Sequence, residues 1–263
     1  MMPPTPPNML PRVSVMNCVS TALDMLKFSS EAILTNAGYD NFDYIVVTWL
    51  PSLEVLEFLD QLKNSYSDKG IRVHTVRYET NPDIGYVPNL RGMMNIGFTA
   101  GFHMNEYCGL VNTDQYFGKD WLINLVKHAT KDTIVNCTSI QPLDHPAHIN
   151  VDLGIPTKKQ FNMTKFNEMY DELYEDKLLT EEERGGRVAT NTMPYLFHRK
   201  YWYACGPWEL ELGKESSPDV RFFERCHKYG AKFTMSRSSI CYHYEAVERR
   251  GKRPEGAEEM KEE

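Results

Sequence analysis

The sequence predicts an α/β protein built on a Rossmann-like, mostly parallel sheet flanked by helices. Two observations carry that expectation. From residue 13 to residue 139, short apolar segments rich in β-branched residues alternate with longer segments whose apolar residues recur at helical spacing. Such alternation is the pattern of parallel strands joined by crossover helices on both faces of one sheet. No internal repeat interrupts it.

Val13–Val19 (VSVMNCV) is the first predicted strand. Residues 21–36 follow with Leu23, Leu26, Ile33 and Leu34 near one helical face, and Gly38 stops that helix. Phe42–Thr48 (FDYIVVT) reads as a buried strand, and residues 51–65 as a helix with Pro51 suited to its first turn. Ile71–Val76 is the third strand, 89–104 the third helix and Tyr107–Val111 the fourth strand. Residues 120–129 read as a helix with Trp121, Leu122, Leu125 and Val126 inward, before a strand at Thr133–Thr138. The Met93-Met94 and Phe222-Phe223 pairs read as core.

Beyond residue 140 the alternation ends. Residues 141–190 mix prolines and histidines with an acidic, helix-like run at 166–183 that closes on Gly185-Gly186. A long insertion late in an α/β chain reads as a hinged lid or acceptor surface, a structural flap being the plainer alternative. Order resumes at Tyr195–Tyr203, with a helix at 219–229 and a strand near Ser239–Tyr244. The expected organisation is one domain over 12–245 containing the insertion. It lies between a proline-rich tail, 1–11, and a charged tail, 246–263.

Composition narrows the function. With 263 residues, 25% charged and 12% aromatic, the chain can bury a substantial core. A formal net charge of -7 gives no general attraction to phosphate backbones, so a nucleic-acid partner would need a local basic patch. No apolar run approaches the ~20 residues that span a bilayer, and residues 1–11 lack the basic start and apolar stretch of a signal peptide. Cys18, Cys108, Cys137, Cys205, Cys226 and Cys241 are scattered without a C-x-x-C pair, which reads as free thiols in a reducing compartment. The expected location is cytoplasmic, and the sequons at Asn136 and Asn162 read as chance matches.

Three places carry chemistry. The apolar strand ending at Val111 breaks abruptly into Asn112-Thr113-Asp114. Ligands of open α/β sheets bind beyond the carboxyl ends of strands, where a carboxylate can hold Mg²⁺ or Mn²⁺ against phosphate oxygens. The alternative is that Asp114 caps a turn. Asp219 opens a predicted helix behind Pro218, a capping position by itself. His243 lies near the end of the segment ICYHY, residues 240–244.

These residues resemble family-2 A-type glycosyltransferases. Residues 106–114 are similar to the stretch ending in that family's D-x-D signature, Asn95-Ile96-Gly97 and Ala100-Gly101 to its N-x-G…A-x-G helix, and Asp120-Trp121-Leu122 to its D-W-L. The likeness covers roughly residues 12–139 and 200–244. Two departures stand out: Asn112 occupies the first acid of the D-x-D, and Thr48-Trp49 replace the acidic residues expected after the second strand.

The resemblance implies an A-type fold, a divalent metal on Asp114 and His243, and a donor site. The donor residues are Asn112, Thr113, Asp114, Thr48, Trp49, Arg91 and Asn95, with Trp49 suited to stacking on a base. It also implies that Asp219, eleven residues before Gly230 as in the family, is the general base, although Pro218 replaces the acid that usually precedes it. A carboxylate on the side opposite the leaving diphosphate suits an inverting displacement, taking the acceptor proton as the oxygen attacks.

Arg91, Arg187 and Arg199 are candidate diphosphate clamps because guanidinium pairs bidentately with phosphate. His145 and His148 form an H-x-x-H that Pro146 keeps off a helix. The expected activity is transfer of a sugar from a nucleotide-sugar donor to an acceptor hydroxyl, the acceptor being a glycan, lipid, protein or nucleic acid. Two alternatives stand beside it. A catalytically inactive binding module would account for Asn112 and Pro218. A sugar nucleotidyltransferase would need a glycine-rich loop after the first strand, and residues 17–25 (NCVSTALDM) hold no glycine.

Overall fold

The computed structural model describes residues 10–19, 23–79, 86–142, 149–183, 193–210 and 218–244. In chain order the elements are β1 (Val13–Val19), α1 (Leu23–Thr35), β2 (Phe42–Trp49), α2 (Leu53–Tyr66), β3 (Arg72–Tyr78), α3 (Tyr86–Met104), β4 (Tyr107–Asn112), β5 (Gln115–Phe117) and α4 (Ile123–Val126). Then come β6 (Thr133–Gln141), β7 (Ile149–Asn150), α5 (Met163–Leu173), β8 (Leu178–Leu179), β9 (Tyr195–His198), α6 (Arg199–Cys205), α7 (Pro218–Lys228) and β10 (Lys232–His243).

The sheet order is β3-β2-β1-β4-β9-β6-β10-β5, with β7 beside β6 and β8 beside β10. Strands β1 to β4, β6, β7 and β10 run one way; β5, β8 and β9 run against them. The sheet is therefore mostly parallel, as expected, and β9 is the reversed strand that lets β6 lie parallel to β4 at one strand's remove. The carboxyl ends of β4, β6 and β10 consequently lie along one edge.

Burial on both faces explains the near-continuous apolar strands. Val13, Val15, Phe42, Tyr44 and Val46 pack under α1 and α2 with Leu26, Ile33, Val55 and Leu59. The alternate residues Met16, Ile45 and Val47 pack under α3, α6 and α7 with Phe98, Phe102, Trp202, Phe222 and Phe223. Gly97 and Gly101 let α3 approach the sheet. A Cβ on Gly97 would sit 2.7 Å from Met16 Cε, and one on Gly101 2.5 Å from Cys108 Sγ. The N-x-G…A-x-G spacing is thus a packing requirement of this helix on β1, β2 and β4.

Four expectations change. Residues 120–129 supply only the short α4, because Asp120 has φ +59° and the neighbouring backbone bonds elsewhere. Trp121 N donates to Asn36 O and Ile123 N to Ala37 O, so the segment clips to the loop after α1. The acidic run 166–183 is helical only to Leu173; Tyr174 is extended, and Leu178-Leu179 pair with Ser236 and Met235 as β8. The last strand is twelve residues long and begins at Lys232, its first half disguised by a register shift between Ser236 and Ile240. Pro51 lies outside α2, whose cap is Ser52 accepting from Val55 N.

Nor do the described residues of the insertion form a detached flap. Leu153, Phe161 and Phe166 are buried against Phe28, Ile140, Ile240 and Tyr242, and Tyr170 donates its hydroxyl to Lys119 O. Gly185-Gly186, His145, His148 and Arg187 lie outside the described residues. Asn136 is fully buried in β6, whereas Asn162 is exposed and caps α5 through its Oδ1, which accepts from Lys165 N. All six cysteines are free thiols, Cys137 and Cys241 lying with their sulfurs 3.2 Å apart.

At the opposite edge, Asp43 ties the amino ends of four strands, β1 to β4, together. Its fully buried carboxylate meets Arg12 Nε at 2.7 Å, Arg72 Nε at 2.9 Å, His74 Nε2 at 2.7 Å and Asn105 Nδ2 at 2.9 Å. Burial pushes this carboxyl up, but the hydrogen bonds from His74, Arg12, Asn105 and Arg72 outweigh it and hold the group well below the ordinary range. Because the native value is depressed, the contribution to stability is complete above the unfolded value of about 4 and falls away as the pH drops below it. Asp43→Asn is expected to lose about 3 kcal/mol at pH 7, since the charges left behind have no counter-ion. Urea unfolding at pH 7 and pH 3 checks this: the gap between variant and parent narrows at the lower pH.

Candidate functional site

The site is built where β4 ends. Asn112 closes the strand, Thr113 and Asp114 turn, and Gln115 begins β5. Gln115 holds the turn from within, its Oε1 accepting from Asn112 N at 2.8 Å and its Nε2 donating to Met193 O at 3.1 Å. Because β5 pairs antiparallel with β10, Gln115 faces His243 in register, and Tyr244 N donates to Asp114 O at 3.0 Å. That pairing carries the Asp114 side chain to the end of β10. Asp114 Oδ1 lies 3.4 Å from His243 Nε2, the two side chains being 16% and 7% exposed.

Among the described residues no lysine or arginine forms an ion pair with Asp114. A mostly buried carboxylate facing an imidazole, without a cationic partner there, is a donor set suited to a divalent cation. Ligand bonds of ~2.1 Å at right angles span about 3 Å, so a 3.4 Å separation suits adjacent positions on one ion. Among the described residues no third His, Cys, Asp or Glu joins them. Two protein ligands match the pattern of a cation that also takes phosphate oxygens and water.

Asp219 stands in the first turn of α7, 7% exposed, with Oδ1 accepting from Val220 N at 2.9 Å. Its charge acts on Tyr195 of β9. Tyr195 opens β9 opposite Leu110 of β4, two residues past the Met193 carbonyl that Gln115 holds. Burial pushes the Tyr195 hydroxyl up, and the nearby charge of Asp219 pushes it further.

No family model matches this sequence, and no curated protein matches it either. Solved structures do. The structure of GalNAc-T7 with UDP, GalNAc and Mn²⁺ is 12% identical with a TM-score of 0.57, over 90% of this chain and 44% of that one. The mannosyltransferase PcManGT from Pyrobaculum calidifontis, in complex with GDP-Man and Mn²⁺, is 15% identical with a TM-score of 0.59, over 95% of this chain and 60% of that one. The chain has the A-type glycosyltransferase fold. It spans 44% and 60% of the length of these two solved chains.

Within the A-type fold the other predicted residues separate into two groups. Asn112 and Thr113 are half-buried in the turn beside Asp114. Arg91 reaches the Asp219 side instead of the turn: Nη1 donates to Leu210 O at 2.9 Å, and the charges of Asp219 and Glu209 act on it.

The remaining residues are engaged elsewhere. Asn95 bonds the Trp208 backbone with both amide atoms, donating to the carbonyl at 2.8 Å and accepting from the N–H at 2.9 Å. It fastens the loop before α7 to α3. Trp49 is 7% exposed among Met16, Val47 and Met93 and offers no open face for stacking, while Thr48 Oγ1 donates to Val76 O. Arg199 pairs with Glu106 at 3.2 Å, at the amino end of β4 and hence the far edge of the sheet from Asp114. Glu209 pairs with Arg221 and Arg225, and Glu211 and Glu215 lie outside the described residues.

Gln115 and Gln141 are contributors that the sequence pattern did not single out. Each is an amide ending or beginning a strand, a position where neutral side chains attract no attention. Among the described residues no helix is long and apolar enough to cross a membrane.

Proposed function

We propose that this chain is a metal-dependent glycosyltransferase, moving a sugar from a nucleoside-diphosphate sugar to an acceptor hydroxyl with inversion. The observation that supports it is the Asp114–His243 pair, 3.4 Å apart at the end of β4, on a scaffold shared with chains that hold Mn²⁺ together with UDP or GDP-Man. A bound Mn²⁺ or Mg²⁺ would neutralise charge on the departing diphosphate. Asp114 and His243 would hold that ion, and Gln115 would keep the Asn112–Asp114 turn in place.

Asp219 would take the acceptor proton as its oxygen attacks the anomeric carbon. Arg91, close to both Asp219 and Glu209 in charge, would help fix the acceptor side. Holding donor and acceptor in line supplies most of the barrier reduction open to such a scaffold. Asn112, in place of an acid, favours one other reading, a binding module without turnover.

Titration calorimetry with UDP and GDP, with Mn²⁺ or with EDTA, separates these outcomes when followed by a donor-hydrolysis assay. Binding that needs Mn²⁺, together with hydrolysis, is the expected result. Binding without hydrolysis or transfer to any acceptor favours the module. Binding of neither diphosphate in Mn²⁺ overturns both.

A further inference from the structure

Beside His243, on the side away from Asp114, lies a residue that neither the motifs nor the fold likeness assigns. Gln141 ends β6 and is 1% exposed, with Nε2 3.4 Å from His243 Nδ1 and 3.4 Å from Ser139 Oγ. Its Oε1 is buried without a hydrogen-bond partner among the described residues. The backbone beneath is fixed: Gln141 pairs with Asn150 in β7, and its carbonyl accepts from Val151 N at 2.8 Å. The next strand brings His243 alongside, through the register of Tyr242 with Ile140.

The two ends of a terminal amide exchange places by a half-turn about one bond, so either can face the imidazole. With the nitrogen inward, Gln141 donates to Nδ1, the imidazole proton sits on Nε2, and the ring donates toward Asp114. With the oxygen inward, Oε1 accepts from Nδ1–H and from the Ser139 hydroxyl, and the Nε2 lone pair faces Asp114. Only the second arrangement leaves Nε2 able to bind a cation. Metal-bound histidines are held this way, the outer nitrogen donating to an acceptor that sets the tautomer.

We propose that Gln141 is a positioning residue, whose amide oxygen accepts Nδ1–H of His243 and so presents Nε2 to the divalent cation shared with Asp114. This rests on the metal-dependent reading above. A neutral amide suits the role because it sets the tautomer without adding a buried charge next to Asp114.

The test is direct Mn²⁺ binding, followed by electron paramagnetic resonance of the free ion, in parent, Gln141→Leu, Gln141→Glu and His243→Ala. Histidine ¹⁵N spectra of the Mg²⁺-loaded parent give a second readout. Gln141→Leu should weaken Mn²⁺ binding by about 10- to 100-fold, Gln141→Glu should restore it because an acceptor oxygen returns, and His243 should carry its proton on Nδ1. If Gln141→Leu melts early, the spectrum of the parent still decides. A folded Gln141→Leu that binds Mn²⁺ like the parent, or a His243 ring protonated on Nε2 with Mg²⁺ bound, overturns the assignment of Gln141 alone. Failure of the parent to bind Mn²⁺ overturns the metal reading and this one with it. Unchanged binding in His243→Ala removes His243 and Gln141 and leaves Asp114.

Discussion

Asp114→Asn is expected to lose Mn²⁺ binding and to drop turnover by about three orders of magnitude or more, with the fold intact. The magnitude follows from removing the charged ligand of an ion that contributes several kcal/mol to charge neutralisation, each 1.36 kcal/mol being a factor of about ten. The fold should survive because the turn is held by groups this substitution leaves in place: the Asp114 carbonyl, the Asn112 N–H and the Gln115 side chain. Asparagine has nearly the same shape and tolerates turn backbone well. Steady-state kinetics with the donor, Mn²⁺ titration and thermal melting of parent and variant are the measurements. Normal turnover in Asp114→Asn, or in the parent with excess EDTA, removes the metal from the reaction.

Asp219→Asn should leave donor affinity near that of the parent while turnover falls by roughly two to four orders of magnitude, the usual scale for a positioned acid–base group. Its Oδ1 also accepts from Val220 N within the first turn of α7, a bond that an asparagine oxygen can keep. Stability should therefore change little in Asp219→Asn and fall by about 1 kcal/mol in Asp219→Ala. A residue that only steadied this first turn would give the opposite pattern, with normal turnover in the asparagine variant. Donor binding, melting and kinetics on both variants separate the two roles. Normal turnover in Asp219→Asn shifts attention to Glu211 or Glu215, since Glu209 is already paired with two arginines.

The sequence made the first half of this fold legible because its strands are buried on both faces. VSVMNCV and FDYIVVT are apolar at nearly every position, and the helices between them carry a clear apolar stripe. It was far less legible where tertiary bonds replace local ones. The segment after Phe117 looked helical by its inward Trp121 and Leu125, yet only Ile123–Val126 is helix, because Trp121 N and Ile123 N donate to the loop after α1. The part of β10 before Ser239 was hidden by the polar Ser236 and Ser238; both are buried and bonded to each other at 3.1 Å.

The site divides in the same way. Asp114 could be named from a strand end, where a carboxylate is conspicuous, whereas His243 was marked only by the family resemblance. Their meeting could not be read, because it depends on β5, a three-residue strand with no periodicity of its own. Asn95 also holds the Trp208 backbone and Trp49 lies in the apolar layer under α3, contacts that a reading along the sequence does not show.

The register shift between Ser236 and Ile240 has a bearing on how this site can vary. Side chains alternate sides along a strand, so one residue more or less there would turn the imidazole at 243 to the other face and leave the carboxylate at 114 alone. Exchanges of side chain within residues 236–240 disturb local packing; a change of length moves a reactive group. Chain length between that kink and the strand's end is therefore the quantity under constraint, and a single-residue deletion there is expected to part His243 from Asp114, which a substitution that keeps the register does not.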